Sequence, residues 1–481
     1  VFRGDAVRAS IRLRNLIVPH PTVVLNAVGL TPDLIGDWSP RIKSFVESHH
    51  TRSLIPDLPA VTSSVQSSML TGVSPAEHGI IGNGWYERQA AEVQFWKQSN
   101  HLVEARKVWD TARDHDPSLT CANLFWWFNM YSSVDWSVTP RPMYLADGRK
   151  RPDIHTHPGD LRDRLQADLG TFPLFHFWGP GADIRSTRWI ADAAMLVDQW
   201  HHPDLTLIYL PHLDYQLQRT GPDGPDARRA VSQLDRVIGD LLDHYQDRGC
   251  QIILLSEYGI EPVHAPIAIN RVLNAAGLIE VREELGGHHL IPGDCGAFAV
   301  ADHQLAQIYL GDPSCRADVA SLLQEVDGIE TVFDPSASPD LGLDHARAGD
   351  LVAIAEHGRW FEYGWWLDDS NAPDYARTVD IHRKPGYDPL ELILDPTIRF
   401  PKVTLAKTLA KRAMGFRTLL DVIPLNGSLI CGSHGRNDLV GSGGPILSTT
   451  QECDLPDHVS CQCVHDVILT HLFGPQWSKE A

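Results

Sequence analysis

The chain has 481 residues, 61 Asp and Glu against 41 Lys and Arg, a formal net charge of −20, and 43% hydrophobic residues. That charge argues against general binding to nucleic acid polymers or anionic membranes, and the apolar content argues against disorder. The length exceeds a single ordinary core, so two lobes or one large α/β core with an inserted unit are expected.

Residues 1–15 carry Arg3, Arg8, Arg12 and Arg14 but no apolar stretch of signal length. No run of about 20 apolar residues occurs, so no membrane span is expected. Eight cysteines are scattered rather than spaced as a disulfide framework, which makes a cytoplasmic location the default expectation. Cys453, Cys461 and Cys463 lie near His458 and His465, but Cys-x-Cys is not the usual structural-zinc spacing. Reduced, inert thiols are the expectation there.

Residues 22–28 read as a buried strand that turns at Gly29-Leu30-Thr31-Pro32, and a helix is expected from Ser39-Pro40, with serine as cap and proline in the first turn. The run 59–72 then places hydroxyls at Thr62, Ser63, Ser64, Ser67 and Ser68, in a loop entering a helix. Serine and threonine compete with the backbone for hydrogen bonds and favour caps, so this is a poor interior helix by propensity. One reading is a small-residue helix packed closely on a sheet. The other makes one hydroxyl a nucleophile at a helix start, where unpaired N–H groups favour anionic oxygens. A hydroxyl is weak at neutral pH and needs a base or a metal elsewhere in the chain.

Helices are expected over 102–114, 186–200 and 226–246, and strands over 118–127, 204–210 and 251–256. The last two strands end in ionisable groups, His212 and Asp214 after one and Glu257 after the other. Polar groups just past a buried strand are stronger site candidates than those within helices. The stretch 125–144 is rich in Trp and Tyr, which suits core packing or a stacking platform for a flat substrate group. The alternation predicts an α/β, doubly wound, mostly parallel sheet over 18–286 and 345–481. Short strand candidates around a helix at 315–326 predict a smaller α+β insertion over 287–344. Near the end, Gly432-Ser433-His434-Gly435 offers a short strand and a histidine between glycines.

With Thr62, Asp214, Glu257 and His434 all near strand exits, the chain resembles the type I phosphodiesterase/nucleotide pyrophosphatase branch of the alkaline phosphatase superfamily. The strongest local match is Thr62 with Gly72, Pro75, His78, Gly79 and Ile80; Ser256-Glu257-Tyr258-Gly259 is similar to Ser-Asp-His-Gly, and 432–435 to Gly-Thr-His-Gly. The resemblance implies an alkaline-phosphatase-like fold, a small phosphorylated substrate and a divalent metal centre of one or two zinc ions. It also implies Thr62 as nucleophile and Asp214, Glu257 and His434 as ligands.

Three positions depart from that pattern. Val28 stands where the first strand's aspartate would be, Gln218 replaces the histidine four after Asp214, and Tyr258 replaces the histidine after the carboxylate. His212 and His382 are candidate replacement ligands, with Asn26, Asp302-His303 and Asp344-His345 as further groups, and Arg383 or Arg436 as phosphate contacts. Two functions stay open: metal-dependent hydrolysis of a phosphate ester or phosphodiester, and a degenerate relative that binds a phosphorylated metabolite or transfers a group without two-zinc chemistry. Substrate identity and oligomeric state lie outside what the residues determine.

Overall fold

A computed structural model describes residues 19–146, 149–400, 403, 406, 410, 411, 414, 418–475 and 477, so the N-terminal arginines lie outside the described residues. Among the described residues nine strands form the central sheet, in the order His458–Ser460, His50–Ile55, Ile446–Thr449, Gln251–Leu255, Thr22–Ala27, Leu205–Leu210, Cys121–Leu124, Trp136–Pro140, Ile154–His157. The middle of this sheet is parallel, and antiparallel pairs appear where Ile446–Thr449 meets Gln251–Leu255 and His50–Ile55, and at Trp136–Pro140 with Ile154–His157. Thr22–Ala27 and Leu205–Leu210 are buried throughout, and Gln251–Leu255 at all but its first residue, as expected of strands covered on both faces. The fold is α/β, with a mostly parallel central sheet flanked by helices.

The covering helices follow from their apolar stripes. In Pro225–Asp247 the buried residues Ala227, Ala230, Val231, Leu234, Val237, Ile238, Leu241, Leu242 and Tyr245 recur every three or four positions, while the opposite face is charged. Ile184–His201 packs beside it on the strand Leu205–Leu210. Thr62–Thr71, Val108–His115 and Val464–Phe473 pack together, and the last of these reaches the strand Thr22–Ala27.

Among the described residues a second, four-stranded antiparallel sheet runs Ala297–Asp302, Leu305–Leu310, Leu351–Ala355, Ile329–Phe333, with the helix Arg316–Gln324 against it. Its first hairpin turns at His303 and Gln304, and His303 takes φ +62° there. The turn abuts the loop after Gly432–Ser433: Gln304 N donates to the His434 carbonyl, and a Cβ at Gly435 would sit 2.8 Å from Gln304 N. Glycine, at φ +129°, is what allows that close approach.

Five strands of the central sheet have no counterpart among the sequence expectations, Trp136–Pro140 and Ile154–His157 at one edge and three at the other. His50–Ile55 is mostly half-buried and polar, and Ile446–Thr449 and His458–Ser460 are four and three residues long, too short for a pattern of two to register. All eight cysteines are free thiols. Among the described residues no helix is long and apolar enough to cross a membrane.

Candidate functional site

Strand register places the site. Asn26 lies opposite Tyr209 on one side and Leu255 on the other, so three parallel strands end together and deliver Asn26, Tyr209 and the segment from Ser256 to one edge. Thr62 is the first residue of the helix Thr62–Thr71, whose ten residues are all buried. The hydroxyls that make this helix look unsuitable are mostly satisfied within it or beside it. Ser64 Oγ donates to the Pro59 carbonyl (2.6 Å), and Ser67 Oγ and Thr71 Oγ1 donate to the carbonyls four residues earlier (2.7 Å each). Ser68 Oγ meets His78 Nε2 at 3.0 Å while His78 Nδ1 accepts from the Ile80 amide, and burial lowers the His78 pKa to about 3. His78 is therefore a neutral brace between helix and loop.

No side chain caps this helix; its N-cap is Val61, and the Ser63 amide is met by Asn83 Oδ1 at 3.1 Å. Thr62 Oγ1 is left to face the site, 2.8 Å from the Tyr258 hydroxyl. Tyr258 stacks on the His434 imidazole with ring centroids 3.7 Å apart and planes at 8°, and the His303 ring lies 3.8 Å from His434. His434 Nδ1 donates to the Ala60 carbonyl at 2.8 Å, leaving Nε2 without a hydrogen-bond partner and 3.5 Å from Asp214 Oδ1.

Asp214 sits on the helix His212–Thr220, where residues four apart share a face, and Gln218 Nε2 donates to Asp214 Oδ1 at 2.9 Å. Gln218 Oε1 in turn accepts from the Tyr387 hydroxyl at 2.8 Å, and Tyr387 stacks on His303 at 3.7 Å. Glu257 lies behind Thr62 and accepts at one oxygen from Asn26 Nδ2 (2.5 Å) and Gln66 Nε2 (2.6 Å). Burial raises its pKa to about 8 against the pull of those two amides. Asp302 accepts from the Asn83 amide (2.7 Å) and side chain (3.0 Å) and meets His303 Nδ1 at 2.8 Å; burial raises its pKa to about 6.

Thr62, Tyr209, Asp214, Tyr258, Tyr387 and His434 form one end of a cleft of ≈ 1890 Å³. Its outer walls carry Trp127, Tyr131, Tyr144 and Trp178, and cations from Lys97, Arg141, Lys150 and Arg383, in a chain whose net charge is −20. Of the aromatic runs seen in the sequence, Trp127, Tyr131 and Tyr144 thus reach the cleft, whereas Trp126, Trp360, Trp365 and Trp366 are buried in cores.

The other candidates lie apart. His212 points away from Asp214: its Nε2 meets Gln233 Oε1 at 3.0 Å, and burial lowers its pKa to about 4. His382 lines the outer cleft beside Tyr144, with ring centroids 6.4 Å apart. His345 pairs with Glu104 at 3.4 Å, and Arg436 is held by Glu330, Asp438 and the Ala355 carbonyl rather than turned into the cleft. Arg383 lines the cleft but also pairs with Asp374 at 3.2 Å.

The donor set does not fit a two-zinc centre. Among the described residues no group of three or more His, Cys, Asp or Glu side chains is placed to hold a metal ion. Zinc takes about four N, O or S donors, whereas Val28 offers none and Gln218 turns its amide nitrogen to Asp214. Sequence reasoning missed Tyr387, Asn83, Gln66 and Tyr209, which come from four separate segments and meet only through the tertiary fold.

The signature of the family described as type I phosphodiesterase/nucleotide pyrophosphatase matches residues 22–388. An uncharacterised pyrophosphatase/phosphodiesterase of Schizosaccharomyces pombe is 25% identical over 265 residues, 52% of this chain and 46% of the relative. Ectonucleotide pyrophosphatase/phosphodiesterase family member 1 of Mus musculus is 21% identical over 256 residues, 50% of this chain and 24% of the relative. The aligned region thus spans less than half the length of these curated relatives. Among solved structures, phosphonoacetate hydrolase from Sinorhizobium meliloti, in complex with phosphonoacetate, superposes with a TM-score of 0.61 at 14% identity, covering 95% of this chain and 96% of that one. Human ectonucleotide pyrophosphatase/phosphodiesterase 5 superposes with a TM-score of 0.56 at 12% identity, covering 94% of each chain. These likenesses establish the alkaline-phosphatase-like fold.

Proposed function

The chain belongs to the type I phosphodiesterase/nucleotide pyrophosphatase family of the alkaline phosphatase superfamily, whose chemistry is phosphoesterase-type hydrolysis, and on that premise we propose that it hydrolyses an ester of a small phosphorylated substrate with Thr62 as nucleophile. The observation that carries this reading is the Thr62 hydroxyl at the first position of a ten-residue buried helix, facing the cleft beside Asp214 and His434. The amide groups and dipole of a helix N-terminus favour an anionic phosphoryl group at that point. Attack by Thr62 Oγ on phosphorus would form an O–P bond as the ester P–O bond breaks. The hydroxyl proton passes, net, to the departing alkoxide, which leaves as an alcohol. Water then cleaves the threonine O–P bond, restoring the hydroxyl and releasing the phosphoryl product.

Tyr258, hydrogen-bonded to Thr62 and stacked on His434, holds the nucleophile's rotamer. His434 Nε2, buried and unpartnered, carries the lone pair of a ring whose Nδ1 donates to Ala60, so it is an acceptor for the Thr62 proton and, once protonated, a donor to a phosphoryl or leaving oxygen. The cations along the cleft attract the anionic substrate, and a cleft of ≈ 1890 Å³ leaves room for a sizeable organic group beyond the phosphate. No step runs through zinc, since the donors at hand do not make its site.

A second reading, binding of a phosphorylated metabolite without turnover, is favoured by Val28, Gln218 and Tyr258 at the three departing positions. Hydrolysis of p-nitrophenyl phosphate and bis-p-nitrophenyl phosphate by the wild type and by Thr62→Ala decides between them. Turnover that disappears in T62A supports hydrolysis. Tight binding of phosphorylated compounds with no T62A-sensitive turnover of any ester supports the second reading.

A further inference from the structure

We propose that this site works without resident metal ions, because an amide, Gln218, and a phenol, Tyr258, stand at two imidazole positions and Val28 at a carboxylate position from which two ions would be held. Asp214 Oδ1 accepts the Gln218 amide at 2.9 Å, and the other end of that amide accepts the Tyr387 hydroxyl at 2.8 Å. Both ends of Gln218 are thus assigned, with its nitrogen toward Asp214. An amide nitrogen is a donor only, so the residue four after Asp214 offers no lone pair there. Gln66 is fixed in the same way: its nitrogen donates to Glu257 at 2.6 Å and its oxygen accepts the Trp127 amide at 2.6 Å. Asn26 supplies a second amide donor to the same carboxylate oxygen at 2.5 Å.

The remaining histidine is similarly enclosed. His434 lies between the Tyr258 ring at 3.7 Å and the His303 ring at 3.8 Å, and its Nδ1 is committed to the Ala60 carbonyl. Tyr258 adds its hydroxyl to Thr62. All these residues are buried. Drawing Asp214 and Glu257 onto a cation would strip the buried amides of Gln218, Asn26 and Gln66 of their acceptors. His434 Nε2, Glu257 Oε2 and Asn26 Oδ1 are left without partners, but among the described residues no three His, Cys, Asp or Glu side chains converge to hold an ion, and the substrate meets hydrogen-bonding groups where the resemblance implied ions.

The test reads metal, not activity, so its outcome is separate from that of the Thr62 reading. The full chain is purified without added metal or chelator and its zinc and manganese are counted by elemental analysis. Thermal unfolding is then followed in EDTA, in zinc and in manganese. Zinc is also titrated calorimetrically into the wild type and into variants restoring ligands, Gln218→His/Tyr258→His and the same pair with Val28→Asp. The proposal expects metal far below one ion per chain and an unfolding midpoint that neither chelator nor metal moves. It also expects saturable zinc binding to appear in the restored variants. Near-stoichiometric zinc or manganese in the wild type, or a midpoint that drops in EDTA and recovers with metal, overturns it. Folded variants that bind no more zinc than the wild type overturn the assignment of these positions. Should the triple variant not fold, the double variant and the wild-type arms decide.

Discussion

Glu257→Gln gives the sharpest physical prediction. Glu257 is fully buried, and burial raises its pKa from the ordinary 4.5 to about 8. The unfolded chain ionises this group near its ordinary value, so between about pH 4.5 and about pH 8 the folded state holds a proton that the unfolded state has lost. Stability contributed by Glu257 therefore falls as pH rises through that window. At about 1.4 kcal/mol for each tenfold change in proton affinity, the whole loss has a ceiling of about 5 kcal/mol. The amide that E257Q introduces cannot ionise. It keeps an acceptor for Asn26 and Gln66 but places an NH2 group where Glu257 Oε2 now has no partner, at a pH-independent cost of about 1–3 kcal/mol. Urea unfolding of both proteins at pH 5 and pH 9 separates the two effects. E257Q is expected to gain on the wild type by several kcal/mol between these pH values, with no gain below pH 4.5. A stability difference that stays constant with pH refutes the reasoning. A wild type that gains on E257Q as pH rises refutes it more strongly, since that is the behaviour of a carboxylate held ionised by a cation.

Thr62→Ala removes one hydroxyl that is hydrogen-bonded to Tyr258 and also interacts with Glu257 and Tyr209, so unfolding should shift by no more than about 1.5 kcal/mol while turnover falls on the order of 10⁴-fold; parallel urea titrations and rate assays check both. Lys384 is buried against Asp388 at 2.6 Å and Glu391 at 2.7 Å, beneath the segment that presents Tyr387. Lys384→Met strands two buried carboxylates and should cost about 3–5 kcal/mol in urea unfolding. Arg141→Ala should raise KM for an anionic substrate several-fold with kcat held, and the difference from wild type should shrink as salt screens the cleft beyond about 10 Å at 0.1 M; steady-state rates against ionic strength read this directly.

Much of the core could be read from the sequence because the buried strands are continuous apolar runs and the long helices carry wide apolar stripes. The two edges of the sheet could not, since the strands beyond Gln251–Leu255 and beyond Cys121–Leu124 are short or half polar. Thr62 and Asp214 lie in the first turns of two helices, and His434 follows Gly432–Ser433, which pairs with Glu261–Pro262 outside the central sheet; all three line one cleft. His212 stands two residues before Asp214, just past a strand, which makes it a candidate ligand by sequence. The structure starts a helix there, and two helical residues lie about 200° apart around the axis, which sends His212 to Gln233 instead. The same geometry explains Gln218, which a four-residue spacing returns to Asp214. Tyr387 lies in an irregular Pro- and Gly-containing stretch with no periodicity to place it, and its position depends on the buried Lys384 pair. The hairpin turn at His303 joins the site from the second sheet, a contact no local pattern encodes.

The most direct test of the central claim is to trap the group on Thr62. The wild type is mixed with a phosphate ester or phosphodiester labelled on the phosphoryl group, quenched in acid within a turnover, and the label is mapped to a peptide. The account predicts label on Thr62 of the peptide spanning the start of its helix, absent from T62A. Rapid turnover with no label on Thr62, retained in T62A, would contradict it.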